Sequence, residues 1–131
     1  MPSVIPARPW PDILSSMGSL PWPFQRFIEQ IVQSRYAENL FAYTSMHVVV
    51  IAQTREIQDG QERLFLAFDP ERTRVRMALT DEPAWITESR MPRLKGRKTW
   101  TREVAPEKAF ATFEKFLRRV GWVPGAGSRD S

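Results

Sequence analysis

Two segments of the chain repeat apolar side chains at the spacing of an amphipathic helix. In the first, apolar residues recur at i, i+3, i+4, i+7 and i+8, and polar residues fill the opposite side. This spacing predicts a helix over about residues 23–38, with Pro23 in the first turn, where its missing amide is tolerated. The apolar stripe of this helix consists of Phe24, Phe27, Ile28, Ile31, Val32 and Tyr36.

A second helix is predicted over 106–120, near the end of the chain. Pro106 fits the first helical position, and Arg118 and Arg119 fit the last turn. Gly121 fits the left-handed residue that commonly ends a helix. The side of this helix that we expect to be buried carries Ala109, Phe110, Phe113, Phe116, Leu117 and Val120.

Between the two helices the apolar period changes to two residues, which is typical of β-strands. The Asp59-Gly60 pair predicts a type I′ hairpin turn, and residues 69–72 predict a second turn of four residues. The element order is α-β-β-β-(β)-β-α. This order indicates an α+β fold, in which an antiparallel meander of four or five strands packs against an N-terminal and a C-terminal helix. The predicted strands cover about 43–56, 62–68, 73–80, 84–88 and 99–104.

The turn lengths also predict which strand residues share a face, because directly paired residues point to the same side of a sheet. The face that we expect to meet the helices carries Leu64, Leu66, Phe68, Thr73, Val75 and Met77. The opposite face carries Phe65, Ala67, Arg74 and Arg76, together with Val48, Val50 and Ala52. Because this second face is apolar in its middle, it needs a cover, which we expect to be the N-terminal arm, a partner or a ligand.

The chain begins with a proline-rich arm. Six of the 11 prolines fall within the first 23 residues, which predicts an extended segment without a normal helix. Because the arm carries Trp10 and Trp22, we expect it to pack on the domain or to dock on another chain, with disorder as the remaining alternative. The predicted organisation is an arm over 1–22, one α+β domain over 23–123 and a flexible tail over 124–131.

Composition excludes several classes of function. The 131 residues are enough for one domain with its own core. The chain has no cysteine and one histidine, which excludes disulfide frameworks, thiol nucleophiles and zinc sites built on cysteine. No glycine-rich phosphate loop is present, so nucleotide cofactor sites of the usual kinds have no support. We therefore expect no cofactor, no metal and no catalytic residue.

The start of the sequence has no apolar run of the kind found in secretory signals. No stretch approaches the roughly 20 apolar residues that span a bilayer. A cytoplasmic protein without a membrane partner is the resulting expectation.

Positive charge is concentrated in one segment. The formal net charge is +4, yet the stretch from 89 to 102 holds six cationic side chains and no acidic one. Clustered cations attract phosphates, and an indole can stack on a base. The alternative is a solvated loop between two strands. The candidate contact residues of this basic loop, 90–102, are Arg90, Arg93, Lys95, Arg97, Lys98, Trp100 and Arg102.

A second candidate surface lies on the sheet, where Arg74 and Arg76 share a face with Phe65. A sheet face with aromatic and arginine side chains can bind single-stranded RNA. The alternative is that the arginine stems cover Phe65 while the guanidinium groups reach water.

Catalytic and metal-binding patterns are weak. His47 follows a hydroxyl-bearing pair, Thr44-Ser45, but no orienting acid or oxyanion site accompanies it. Three turn acids could in principle hold a cation, but no nuclease-type pattern follows them, so we expect no metal there. These acids are Asp69, Asp81 and Glu82.

Three hypotheses about function remain. The first is a non-enzymatic interaction module that binds a protein partner or a second copy through the apolar sheet face and the arm with Trp10 and Trp22. The second is nucleic-acid or polyanion binding through the basic loop 90–102. The third is a small hydrolase or nuclease that uses His47.

Overall fold

The computed structural model describes residues 4–16, 18, 20–45, 48–58, 61–80 and 100–122. The described part of the chain contains seven strands, three α-helices and two short 3₁₀ turns. The strands are β1 (Val4–Pro6), β2 (Phe41–Ser45), β3 (Val48–Ala52), β4 (Glu56–Gln58), β5 (Arg63–Asp69), β6 (Arg74–Thr80) and β7 (Trp100–Val104). The helices are α1 (Trp10–Ser15), α2 (Trp22–Gln33) and α3 (Ala109–Val120), and the 3₁₀ turns are Arg35–Asn39 and Pro106–Lys108.

Five of the strands form one antiparallel sheet in the order β2-β3-β5-β6-β7, and β1 pairs with β4 in a separate two-stranded ribbon. Helices lie at both ends of the chain, so the predicted α+β class and the antiparallel sheet are confirmed. The strand predicted at 99–104 is β7. The strand predicted near 84–88 lies outside the described residues. No helix of the described part is both long and apolar enough to cross a membrane.

The core between the helices and the sheet follows the predicted periodicities. On α2 the fully buried residues are Phe24, Phe27, Ile28 and Ile31, and on α3 the buried residues are Ala109, Phe113, Phe116 and Leu117. They pack against Leu64, Leu66, Val75 and Met77 of the sheet. The C-terminal end of α3 also forms as predicted, because Gly121 adopts the left-handed conformation with φ 77°.

The predicted long strand over 43–56 is wrong. The chain forms a hairpin there, in which Tyr43 of β2 pairs with Val50 of β3. The pairing extends to Ser45 and Val48, and residues 46–47 between them lie outside the described part. Neither is a glycine, proline, asparagine or aspartate, so the sequence carries no turn signal at this position.

The predicted register of both later hairpins is also wrong, although the faces are correct. Val50 pairs with Phe65, so ten residues, 53–62, separate β3 from β5, where the prediction had one strand continue to the turn. Asp59 and Gly60 themselves lie outside the described residues. Phe68 pairs with Val75, where the predicted partner of Phe68 was Thr73. Thr73 instead lies within the turn with a positive φ of 53°. Shifts by an even number of residues leave each side chain on its predicted face.

The proline-rich arm is not wholly extended, which corrects the prediction for the first 23 residues. Pro11 and Pro23 lie in the first turns of α1 and α2, where a proline removes no helical hydrogen bond. Ile13 of α1 is completely buried in the main core. Of the alternatives left open for the arm, the structure shows residues 4–16 packed on the chain's own domain.

The ribbon of β1 and β4 covers the apolar part of the second sheet face. A second cluster of buried residues forms there, in which Ile57 of β4 is buried against the sheet and Ala7 of the arm packs against the cluster. The sheet residues of this cluster are Tyr43, Val50, Ala52 and Phe65. The cover that the sequence required is therefore supplied by the chain itself.

Candidate anion-binding groove

A groove of about 350 Å³ lies between β7 and α3. β7 is the last strand in the order of the described sheet, so its outer side is not paired with another described strand. The residues that line this groove are Trp100, Arg102, Val104, Thr112, Lys115, Phe116 and Arg119.

Strand alternation places Trp100 and Arg102 on the helix side of β7. Arg102 pairs with Met77, and Trp100 pairs with Leu79. Because both partners belong to the main core, Trp100 and Arg102 must also face the helices. Arg102 remains exposed because β7 is at the edge of the described sheet.

Helical spacing supplies the opposite wall. Thr112, Lys115 and Arg119 recur at i, i+3 and i+7, so they form one stripe along α3. This stripe lies beside the buried one, and its two cationic side chains are exposed. α3 therefore buries one side in the core and presents an adjacent cationic side to the edge strand.

The groove is uniformly cationic. It is lined by three basic side chains and no acidic one. Within the described ranges, no carboxylate forms an ion pair with Arg102, Lys115 or Arg119. Like charges gathered without counterions repel one another, and an anion in the groove relieves that repulsion.

Aromatic side chains form the floor. The ring centroids of Trp100 and Phe116 are 4.6 Å apart at an interplanar angle of 40°. Phe116 is buried and also contacts Trp122, so the half-buried indole of Trp100 rests on a fixed support. The guanidinium of Arg102 lies 5.0 Å from the centroid of the Trp100 ring. Indoles and guanidinium planes are both surfaces on which unpaired bases stack.

The sequence predicted part of this site. Trp100 and Arg102 were candidates, and the fold brings them together with Lys115 and Arg119. The other candidates of the basic loop lie outside the described residues: Arg90, Arg93, Lys95, Arg97 and Lys98.

Sequence reasoning missed Lys115 and Arg119. Arg119 was considered only as a charge in the last turn of its helix, and Lys115 was not considered. Their spacing of four residues beside the buried stripe was the available signal. The sequence does not show that these two cations lie near Trp100, because that proximity depends on the pairing of β7 and on the direction of α3.

The second candidate surface, on the sheet, does not form an open site. Phe65 is fully buried beneath the ribbon. Arg76 is held between the carboxylates of Asp69 and Glu103, and only 17% of its side chain is exposed. Of the three residues proposed for this surface, Arg74 alone is exposed.

The two tryptophans of the arm have different environments. The indole Nε1 of Trp10 donates to the backbone carbonyls of Ala37 and Leu40, each at 3.1 Å. Trp10 therefore ties the arm to the chain that follows α2. Trp22 is 64% exposed and lies apart from the groove, beside Pro106 and Glu107.

No catalytic arrangement is seen in the described part of the chain. His47, Asp81 and Glu82 lie outside it, and Asp69 is engaged with arginine side chains. Among the described residues, no group of three or more histidine, cysteine, aspartate or glutamate side chains could hold a metal ion.

Comparison with family models, with curated proteins and with solved structures finds no match to this chain.

Proposed function

We propose that this protein binds single-stranded nucleic acid through the groove between β7 and α3. The observation that carries the proposal is the set of three exposed cations, Arg102, Lys115 and Arg119, around the floor of Trp100 and Phe116, with no acid lining the groove. Cationic grooves with aromatic floors suit a backbone of phosphates and a row of unpaired bases.

The shape of the groove favours a single strand over a duplex. A concavity of about 350 Å³ is near the lower end of the range for small-molecule sites. In a duplex the bases are paired and stacked, so their flat faces are closed to an aromatic side chain. A base can lie against Trp100 only when it is unpaired.

The sequence that precedes β7 supports the same proposal. Residues 90–99 of the basic loop directly precede Trp100 in the sequence, and they contain five cations and no acid. These cations are close in sequence to the groove, and we expect them to add phosphate contacts to those of the three described cations.

The interaction-module hypothesis has less support from the structure than from the sequence. It depended on an apolar sheet face that needed a partner, and the ribbon of β1 and β4 occupies the apolar part of that face. One observation still favours a protein contact, which is the exposed indole of Trp22.

The salt dependence of binding tests the proposal. We expect a labelled single-stranded oligonucleotide of about 12 bases to bind with a log–log salt slope near −2, from about −0.7 for each of three neutralised phosphates. Contacts from the basic loop make the slope steeper. The measurement is fluorescence anisotropy between about 50 and 200 mM salt, with a duplex of the same sequence as the control.

Two results contradict the proposal. One is the absence of binding at the low-salt end of the titration. The other is equal or stronger binding of the duplex. That result would mean that the protein contacts phosphates alone and that the aromatic floor does not contribute to binding.

A further inference from the structure

A second cavity with two cations lies at the opposite edge of the sheet, where the arm crosses the start of β2. Its volume is about 290 Å³. Strands β2 and β7 are the two ends of the five-stranded order, so about four strand spacings, near 19 Å, separate this cavity from the groove. The lining residues that matter here are Arg8, Pro9, Trp10, Ala37, Phe41 and Arg55.

Backbone hydrogen bonds fix the main chain at the two arginines of this cavity, whose side chains are exposed. The amide of Arg8 donates to the carbonyl of Ala42 at 2.8 Å. The amide of Ala7 donates to the carbonyl of Arg55 at 2.9 Å. The arm is thus attached on one side to β2 and on the other to the segment before β4, and both cations are brought to one cavity.

The charge of this cavity is uncompensated in the described structure. No acidic residue lines it, and neither Arg8 nor Arg55 forms an ion pair with a described residue. The guanidinium of Arg55 lies over the ring of Phe41, 5.1 Å from its centroid. This contact orients the side chain before any ligand arrives, which lowers the entropic cost of binding.

The remaining wall is apolar. The indole N–H of Trp10 is already used by two backbone carbonyls, so the side chain offers the cavity ring surface in place of a donor. Pro9, Ala37 and Phe41 contribute further carbon surface. A ligand that fits both walls carries an anionic group at one end and a flat apolar group at the other.

We propose that this cavity is a binding site for a small organic anion, in which a carboxylate or phosphate pairs with Arg8 and Arg55 and an apolar ring packs against Trp10 and Phe41. Guanidinium groups hold both kinds of anion through paired hydrogen bonds. This site does not depend on the proposed function of the groove.

Titration of the ¹⁵N-labelled full chain with benzoate and with phenyl phosphate, followed by NMR, tests the site. We expect a saturable shift of the Trp10 indole resonance with at least one of the two probes, with no matching shift for the Trp100 indole. The probe that binds more tightly identifies the preferred acid group. Neutral benzamide, which has the same ring without the charge, should produce no saturable shift.

Variants distinguish specific binding by the two arginines from nonspecific attraction of an anion to a positively charged protein. Arg8→Gln and Arg55→Gln should each weaken binding roughly tenfold, the loss expected for one charge-assisted hydrogen bond. Arg26→Gln removes the same charge from an exposed position on α2 and should leave the affinity unchanged. Three results overturn the proposal: no saturable shift with either anion, a benzamide shift as large as theirs, or equal weakening by Arg26→Gln.

Discussion

Phe113→Ala should lower the free energy of unfolding by about 3–5 kcal/mol, the range for removal of a fully buried phenylalanine side chain. Phe113 has no exposed surface. Its ring meets the rings of Phe27 and Tyr36 edge-to-face, at centroid distances of 6.1 and 6.3 Å. The substitution therefore leaves a cavity where α3 meets α2, and it also removes these two aromatic contacts and a third with Phe110.

Urea denaturation monitored by circular dichroism measures this loss. Phe110→Ala is the matched control, because Phe110 lies one turn earlier on the same helix and is only partly buried. It should cost clearly less. A loss below about 1 kcal/mol for Phe113→Ala would mean that α3 is peripheral to the core, against the burial described above.

Removal of residues 1–18 should destabilise the protein even more strongly. The truncation deletes β1, so Ile57 and the second cluster lose part of their cover. It also deletes Ile13, which is completely buried in the main core, and the Trp10 indole that bonds to Ala37 and Leu40. Loss of the isoleucine side chain alone costs about 2–5 kcal/mol at a buried site.

Thermal and urea denaturation of the truncated chain test this prediction. Ile13→Ala provides a second test if the truncated chain does not fold, and its expected loss is again about 2–5 kcal/mol. Ser15→Ala, an exposed change in the same arm, should have little effect. A truncated protein with an unchanged melting temperature would show that the arm is a passive tail.

The helices and the two sheet faces could be predicted from the sequence, because each depends on a local period. The period of Phe24, Phe27 and Ile31 defines the buried side of α2 without knowledge of its partners. The predicted sheet faces are correct even though both registers are wrong. Side chains alternate with a period of two, and both register shifts are by an even number of residues.

The β2–β3 hairpin and the ribbon could not be predicted in the same way. The sequence between β2 and β3 contains no residue typical of turns, so its pattern predicts one long strand in place of two. The pairing of Val4–Pro6 with Glu56–Gln58 joins short segments that are far apart in sequence, and three residues are too few for a period. Helix α1 was missed because proline was considered only as a helix breaker, although Pro11 lies in the first turn of this helix.

For the candidate groove, too, one part could be predicted from a local pattern and the other depends on tertiary packing. The density of cations before Trp100 indicated an anionic ligand from composition alone. The second wall, with Lys115 and Arg119, depends on the packing of α3 against the edge strand, which is a tertiary contact. A local pattern therefore predicted an anionic ligand, and the fold determined that the candidate site lies between β7 and α3.

The measurement that tests the central claim most directly compares two double variants of equal charge. Lys115→Glu with Arg119→Glu reverses two cations that line the groove, whereas Lys108→Glu with Arg118→Glu reverses two exposed cations of the same region that do not line it. Each pair lowers the formal net charge from +4 to about zero, since each reversal removes two charges. Both should bind less tightly than the original chain through the loss of general attraction.

Single-stranded oligonucleotide affinity should separate the two pairs. The account predicts that the groove pair loses binding at about 50 mM salt and that the control pair keeps it, with a salt slope close to that of the original chain. Equal affinities for the two double variants would contradict the account, because binding would then follow net charge and not the groove between β7 and α3.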